Sequence, residues 1–262
     1  MAGFFRRLGT AFTKAPALAT VALERRDTAN MVVYAVGDVH GCLDLYKRLE
    51  QSIVEDARAL GQPACIILLG DVIDRGPASA DMVDHLLSAP PRGLERLCLR
   101  GNHEDMMLRF LAKPSGKASW LDYGGYETLM SYGMRPPGDE GFNISSRQLE
   151  LMINTFIPQA HRDFFASLPY GVIFGDYALV HAALDRSAPS DAQPKDVLLW
   201  GAPDDIDTDG PTVVHGHTIV EKVVFTPRRI AIDTGAYVTG RLTAVRLMAG
   251  AAPVFLNAID EA

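Results

Sequence analysis

The sequence predicts an α/β fold with polar loops gathered along one edge of a largely parallel sheet, and three observations point there. Between residues 31 and 112 an apolar run, a glycine-bounded polar loop and a helical apolar stripe follow one another three times. The charged and imidazole side chains fall where those apolar runs end, which is where ligands bind in open α/β sheets. Hydrophobic residues make up 48% of a 262-residue chain, enough for a sizeable core and one catalytic domain.

Residues 1–30 stand apart, with Arg6, Arg7, Lys14, Arg25 and Arg26 against only Glu24 and Asp27. Phe4, Phe5, Leu8 and Phe12 fall at helical spacing around the two arginines, which suits weak peripheral contact with a membrane surface. The expected reading is a flexible basic extension, not a signal peptide, because Lys14 and Pro16 interrupt its apolar middle. The catalytic domain is expected over residues 31–262.

From residue 31, MVVYAV reads as a strand, GDVHG as a loop, and Leu43, Tyr46, Leu49, Ile53, Ala57 and Leu60 as a helical stripe. The second unit has a strand at 65–69, the loop GDVIDRG and a helix over 79–87; the third has a strand at 94–99, the loop RGNHE and a helix through Met106, Phe110 and Leu111. Residues 113–169 are rich in Gly, Pro, Ser and Tyr, then helical over about 146–165, and are expected to form a helical insertion flanking the site. Strand patterns resume at 177–180, 212–214, 229–232, 243–247 and 253–256, the last two joined by a turn at Gly250.

A net charge of -7 argues against a nucleic-acid partner, which favours a basic face. No window reaches the roughly 20 apolar residues of a membrane span. Cys42, Cys65 and Cys98 are odd in number and widely spaced, as in reduced thiols of a cytoplasmic protein.

The chemistry centres on Asp71. Asp38 and His40, two apart in an extended loop, point to one side and suit one divalent ion. Asp71 and Asn102 arrive from the next two loops, and His181 and His217 from later strand ends. Two carboxylates, three imidazoles and an amide oxygen are too many for one tetrahedral ion but fit two ions sharing Asp71. Two divalent ions against two carboxylates leave about two positive charges, about one after a bridging hydroxide, which holds a phosphate oxyanion. Bound water then reaches a pKa of about 7, and no serine or cysteine nucleophile is needed. His103 is placed to protonate the leaving group, Asp74 to orient that imidazole, and Arg75 to clamp phosphoryl oxygens. Asn102 alone also suits a helix cap and His181 alone a core histidine; Asp105, His85 and His161 read as surface or packing residues.

In order, GDVHG, GDVIDRG, GNHE, a lone VH, HGHT and IDTGAYVTGRLTAV resemble the calcineurin-like metallophosphoesterases, and most of all the bacterial phosphoprotein phosphatase branch. The resemblance spans about residues 31–256 and implies a two-sheet β-sandwich flanked by helices, phosphomonoester hydrolysis and two metals, manganese first, with iron or zinc as alternatives. It implies that Asp38, His40 and Asp71 hold one metal and that Asp71, Asn102, His181 and His217 hold the other. It makes His103 the acid, supported by Asp74, and places Arg75 and Tyr237 beside the phosphate. One departure stands out: relatives carry a second phosphate-binding arginine two residues beyond a tryptophan, where this chain has Ala202 after Trp200. Arg186, Arg100 and Arg241 are the candidate substitutes.

The expected activity is a serine/threonine phosphoprotein phosphatase, acting on a phosphorylated protein or a small phosphoester. The alternative is a diadenosine tetraphosphatase, whose best-known members resemble this chain but replace the residue equivalent to Asp74. A phosphoprotein-binding pseudoenzyme is a third, suggested only by Ala202.

Overall fold

The computed structural model describes residues 19–26, 31–137, 141–142, 144–202 and 210–260. Two sheets pack face to face. The first has five strands in the order Val254–Ile259, Arg241–Leu247, Val32–Val36, Ala64–Leu68 and Leu94–Cys98, the last three mutually parallel. The second has six, in the order Val224–Phe225, Arg229–Ala231, Thr212–His215, Tyr177–Val180, Gly171–Phe174 and Glu24–Arg26.

Strand alternation builds both layers of the core. Val33, Ala35, Cys65 and Ile67 face inward and meet Val172, Phe174, Leu179, Val214 and Ile230 of the other sheet. Their neighbours Val32, Tyr34, Val36, Ala64, Ile66 and Leu68 point outward and are covered by helices. The helix Leu43–Leu60 buries Leu43, Leu45, Tyr46, Leu49, Ile53 and Ala57, and stops at Gly61, whose left-handed backbone lets its N–H reach Ala57 O. The helices Ser79–Leu87 and Asn102–Ala112 follow the second and third loops as expected.

Because Val36, Leu68 and Cys98 lie in register, the three loops leave the sheet side by side. That alignment creates the site.

The structure departs from expectation in three places. The single helix expected over 146–165 is two, Ser146–Phe156 and Gln159–Ser167, because Pro158 has no N–H to continue the ladder. The strand Gly171–Phe174 was not anticipated; it turns at Gly175 into Tyr177–Val180 as a four-pair hairpin. Residues 19–26, inside the stretch expected to be a flexible extension, form strands: Thr20–Val21 pairs with Gln193–Pro194 in a separate two-stranded sheet, and Glu24–Arg26 joins the six-stranded sheet parallel to Gly171–Phe174. Leu23 is 6% exposed and packs with Ile173, Val180 and Leu198. The residues of the expected amphipathic helix, Phe4 to Phe12, lie outside the described residues. Among the described residues no helix is long and apolar enough to cross a membrane.

Truncating Leu23 removes apolar contact from that small cluster. Leu23→Ala is expected to lower stability by about 2 kcal/mol in a urea titration; an unchanged midpoint would show that the N-terminal edge strand is not part of the folded unit.

Candidate active site and metal centre

Each predicted ligand sits just past a strand or at the start of the helix that follows one. Asp38 follows Val32–Val36, Asp71 follows Ala64–Leu68, and Asn102 opens the helix Asn102–Ala112. His181 follows Tyr177–Val180, and His217 follows Thr212–His215. Asp38, His40, Asp71, Asn102 and His181 are buried, and His217 is partly exposed. Asp71 Oδ2 stands 3.4 Å from His181 Nε2, 3.7 Å from His40 Nε2 and 3.9 Å from His103 Nε2. Asn102 Oδ1 lies 2.7 Å from His181 Nε2 and 2.9 Å from His217 Nδ1. Asp38 joins this cluster through His217 N, which donates to its two oxygens at 3.2 and 3.0 Å.

The orientation of the imidazoles shows what the cluster is built to hold. His40 Nδ1 contacts Ile73 O at 2.8 Å and His181 Nδ1 contacts Leu69 O at 3.1 Å. A carbonyl accepts only, so each Nδ1 carries the proton and each Nε2 turns a lone pair inward. Burial first of all lowers the pKa of all three histidines, to about 3 for His40 and about 4 for His217, so they stay neutral. His181 Nε2 therefore faces the acceptor Asn102 Oδ1 lone pair to lone pair. Donor atoms of Asp71, His181 and His217 lie within 4.8 Å of one another, as do those of His40, Asp71 and His103. Convergent lone pairs around a buried carboxylate fit divalent cations.

His103 and Asp74 form a second unit. His103 Nδ1 meets Asp74 Oδ2 at 2.6 Å, and Asp74 also accepts from Trp120 Nε1 at 2.7 Å and Thr128 Oγ1 at 2.6 Å. Burial opposes charge on His103, but Asp71 and Asp74 outweigh it and raise its pKa, as an acid requires. Arg75 Nη2 lies 3.2 Å from His103 Nε2, and its guanidinium rests 4.6 Å above the Tyr237 ring, which itself flanks His40 at 5.2 Å. Trp200, 47% exposed, meets His217 edge-on at 5.9 Å on the other side.

The backbone is held in an unfavourable conformation at these residues. His40, Asp71, Asp74, Arg75 and His217 are the non-glycine residues with positive φ among the described residues. Such positions cost about 1–3 kcal/mol each and persist only where surroundings enforce them. Asp74 N is held by Ser79 Oγ and Thr128 Oγ1, and Arg75 N by Gly124 O. A Cβ on Gly101 would collide with Asp71 Oδ1, and one on Gly216 with Asp38 Oδ1, so glycine is required for both close approaches.

The three candidate arginines each bond carbonyls or a hydroxyl outside the acceptor cluster. Arg100 binds Tyr170 Oη and the carbonyls of Phe165 and Ala166; Arg186 binds Pro211 O and Arg228 O; Arg241 binds Glu221 O. Ala202 is exposed, and residues 203–209 beyond it lie outside the described residues. His161 and His85 are packing residues as expected, bonded to Asp84 and Glu50.

The sequence reading missed Glu104. Fully buried, it accepts from Asp71 N at 2.8 Å, Val72 N at 2.9 Å, Ile73 N at 3.4 Å and Gly101 N at 2.8 Å, and so fastens the second loop to the third. Burial, and then Asp71, raise its pKa to about 7, while the N–H donors favour the carboxylate. A capping-box reading of GNHE, with glutamate at the third helical position, accounts for the Gly101 bond but not for the others. Thr128, Trp120 and Ser79 were missed too, because nothing local marks them. So was Asp233, buried behind Asp38 and raised to about 6 by burial and by Asp71.

The calcineurin-like phosphoesterase family matches residues 31–245, and the chain belongs to that family of metal-dependent phosphoester hydrolases. Among its relatives, the asymmetrical bis(5'-nucleosyl)-tetraphosphatase PrpE of Geobacillus thermodenitrificans is 28% identical over 244 residues, covering 82% of this chain and 90% of that protein. The PrpE of Bacillus subtilis is 25% identical over 239 residues, with 80% and 88% covered. A solved structure of a candidate diadenosine tetraphosphatase superposes with a TM-score of 0.60 at 20% identity, covering 92% of this chain and 100% of that one. A cold-active protein-tyrosine phosphatase of a psychrophilic Shewanella gives 0.55 at 17%, with 94% and 86% covered. At those identities the superpositions show the two-sheet fold alone.

Two outcomes are expected. Glu104→Gln places an amide N–H against backbone donors and loosens Asp71, so manganese affinity should fall about 10–100-fold in calorimetry; unchanged affinity would make Glu104 a packing residue only. Asp74→Asn removes a charge that raises the His103 pKa, so in metal-free protein the His103 NMR titration should move to lower pH. No movement would separate Asp74 from the acid.

Proposed function

We propose that this chain hydrolyses dinucleoside tetraphosphates with two divalent metals, manganese first, held by Asp38, His40 and Asp71 on one side and by Asp71, Asn102, His181 and His217 on the other. The observation that carries the hydrolytic reading is the lone-pair convergence about Asp71. The substrate reading rests on the likeness to tetraphosphatases across about four-fifths of the chain. It reverses the order expected from Asp74, which pointed first to phosphoprotein.

Bound metals would supply Lewis acidity and an activated water. The chain does the rest. Arg75 holds phosphoryl oxygens in line, and its place on the Tyr237 ring limits where they sit. His103, whose protonated form Asp71 and Asp74 favour, gives its Nε2 proton to the departing oxygen as water adds to phosphorus with loss of a proton and the opposite P–O bond breaks. Asp74 remains the anion that orients the ring, with Trp120 and Thr128 holding it.

A phosphomonoesterase acting on phosphoprotein is the second reading, and the intact Asp74–His103 pair favours it. A departing serine or threonine alkoxide needs a proton far more than a departing phosphate does. The two substrates therefore separate in one experiment. Metal-stripped protein should be silent and regain activity with manganese, with Asp71→Asn as the blank, on diadenosine tetraphosphate and on a phosphothreonine peptide in parallel. Turnover of the dinucleotide is expected, and turnover of the peptide alone would overturn the reading. His103→Asn should lower kcat by about 10²–10⁴-fold where the leaving group is an alkoxide, and by less for the anhydride, with metals retained.

A further inference from the structure

A shallow, open cleft of about 380 Å³ adjoins the acceptor cluster, lined by Arg75, Asp122, Tyr123, Glu127 and Tyr237. Its size is that of a small-molecule subsite. Arg75 belongs to both, since the guanidinium that lines the cleft also stands 3.2 Å from His103 Nε2. The cleft thus shares Arg75 with the His103–Asp74 unit.

The far wall is preformed. Tyr123 and Asp122 belong to the short helix Ser119–Tyr123, which is fastened to the catalytic loop at two points: Trp120 Nε1 donates to Asp74 Oδ2, and Arg75 N donates to Gly124 O. Tyr123 nonetheless leaves 56% of its surface in water. The Tyr237 ring already carries Arg75 on one face, so Tyr123 is the more open aromatic of the cleft. Asp122 and Glu127 are exposed carboxylates, which accept hydrogen bonds and donate none. They repel phosphate and match a neutral group rich in O–H and N–H donors.

We propose that this cleft is a nucleoside subsite: a purine base stacks on Tyr123, Asp122 and Glu127 accept from ribose hydroxyls and base N–H groups, and Arg75 takes the 5'-phosphate. The inference rests on the dinucleoside reading above. Asymmetric scission, in the name of the relatives, fits it, because a cut off the centre of the phosphate chain keeps one nucleoside next to the metals. Base–aromatic stacking is tolerant of base identity, so the subsite selects a nucleoside over a bare phosphate more than one base over another.

The test is a binding titration of the manganese-loaded protein with adenosine 5'-thiomonophosphate, which is slow to hydrolyse, and with inorganic thiophosphate. The nucleotide should bind about tenfold tighter than thiophosphate, Tyr123→Ala should remove that advantage with thiophosphate affinity kept, and Tyr123→Phe should restore it. Equal binding of the two ligands by the unmodified protein would overturn the subsite. So would a Tyr123→Ala protein that keeps the nucleotide advantage, or a phosphothreonine peptide whose affinity depends on Tyr123 when the nucleotide's does not. If nucleotide binding depends on Tyr123 but diadenosine tetraphosphate is not turned over, the substrate reading falls and the subsite stands.

Discussion

The carboxylate of Glu104 gathers backbone N–H groups from two loops, and the position of Asp71 depends on it. Three successive amides, Asp71 to Ile73, turn onto Glu104, with Gly101 N from the other side. Successive N–H groups curled around an anion form the same kind of nest that proteins use for phosphate. Here the anion is a side chain of the neighbouring loop. The nest gives Asp71 its left-handed backbone, and that conformation turns its carboxylate toward His40, His103 and His181.

The arrangement concentrates negative charge. Asp38, Glu104 and Asp233 are all buried, and burial and neighbouring carboxylates raise all three pKa values. The Asp71 carboxyl is lowered instead; burial works against its charge too, and His181, His103 and His40 outweigh it. Buried like charges destabilise a fold unless something compensates them. Divalent cations at the inward-facing lone pairs are the compensation that this donor set fits, so the stability of the site and its chemistry share one requirement.

The insertion over residues 113–169 has a related role. Trp120 and Thr128 reach in from it to bond Asp74, and Gly124 O bonds Arg75 N. The segment that holds the acid–base pair from behind presents Tyr123 at the front. Tyr123 and the bonds on Asp74 are therefore mechanically connected: a change in this segment that moves Tyr123 also loads the Trp120 bond to Asp74.

Much of this was legible in the chain. Continuous apolar runs ending in polar, glycine-bounded loops specify buried strands whose loops emerge together, and Asp38, His40, Asp71, Asn102, His103, His181 and His217 could be named because each lies at or near such an end. Asp74 and Arg75 were legible for the same reason, being only a few residues further along the loop. Local residue type decided all of these, because a short continuous apolar run bounded by a polar, glycine-rich loop marks a buried strand and its end. Tertiary structure alone decided the rest. Trp120 and Thr128 meet Asp74 across sequence separations of 46 and 54, and Glu104 meets the Asp71 loop across 31 to 33; no local pattern encodes such pairings. The edge strand Glu24–Arg26 likewise took its place from the sheet edge offered by Gly171–Phe174, against a basic composition that argued for a loose tail. Sequence thus determined which polar groups gather at the ends of the strands, and packing determined which distant side chains hold them still.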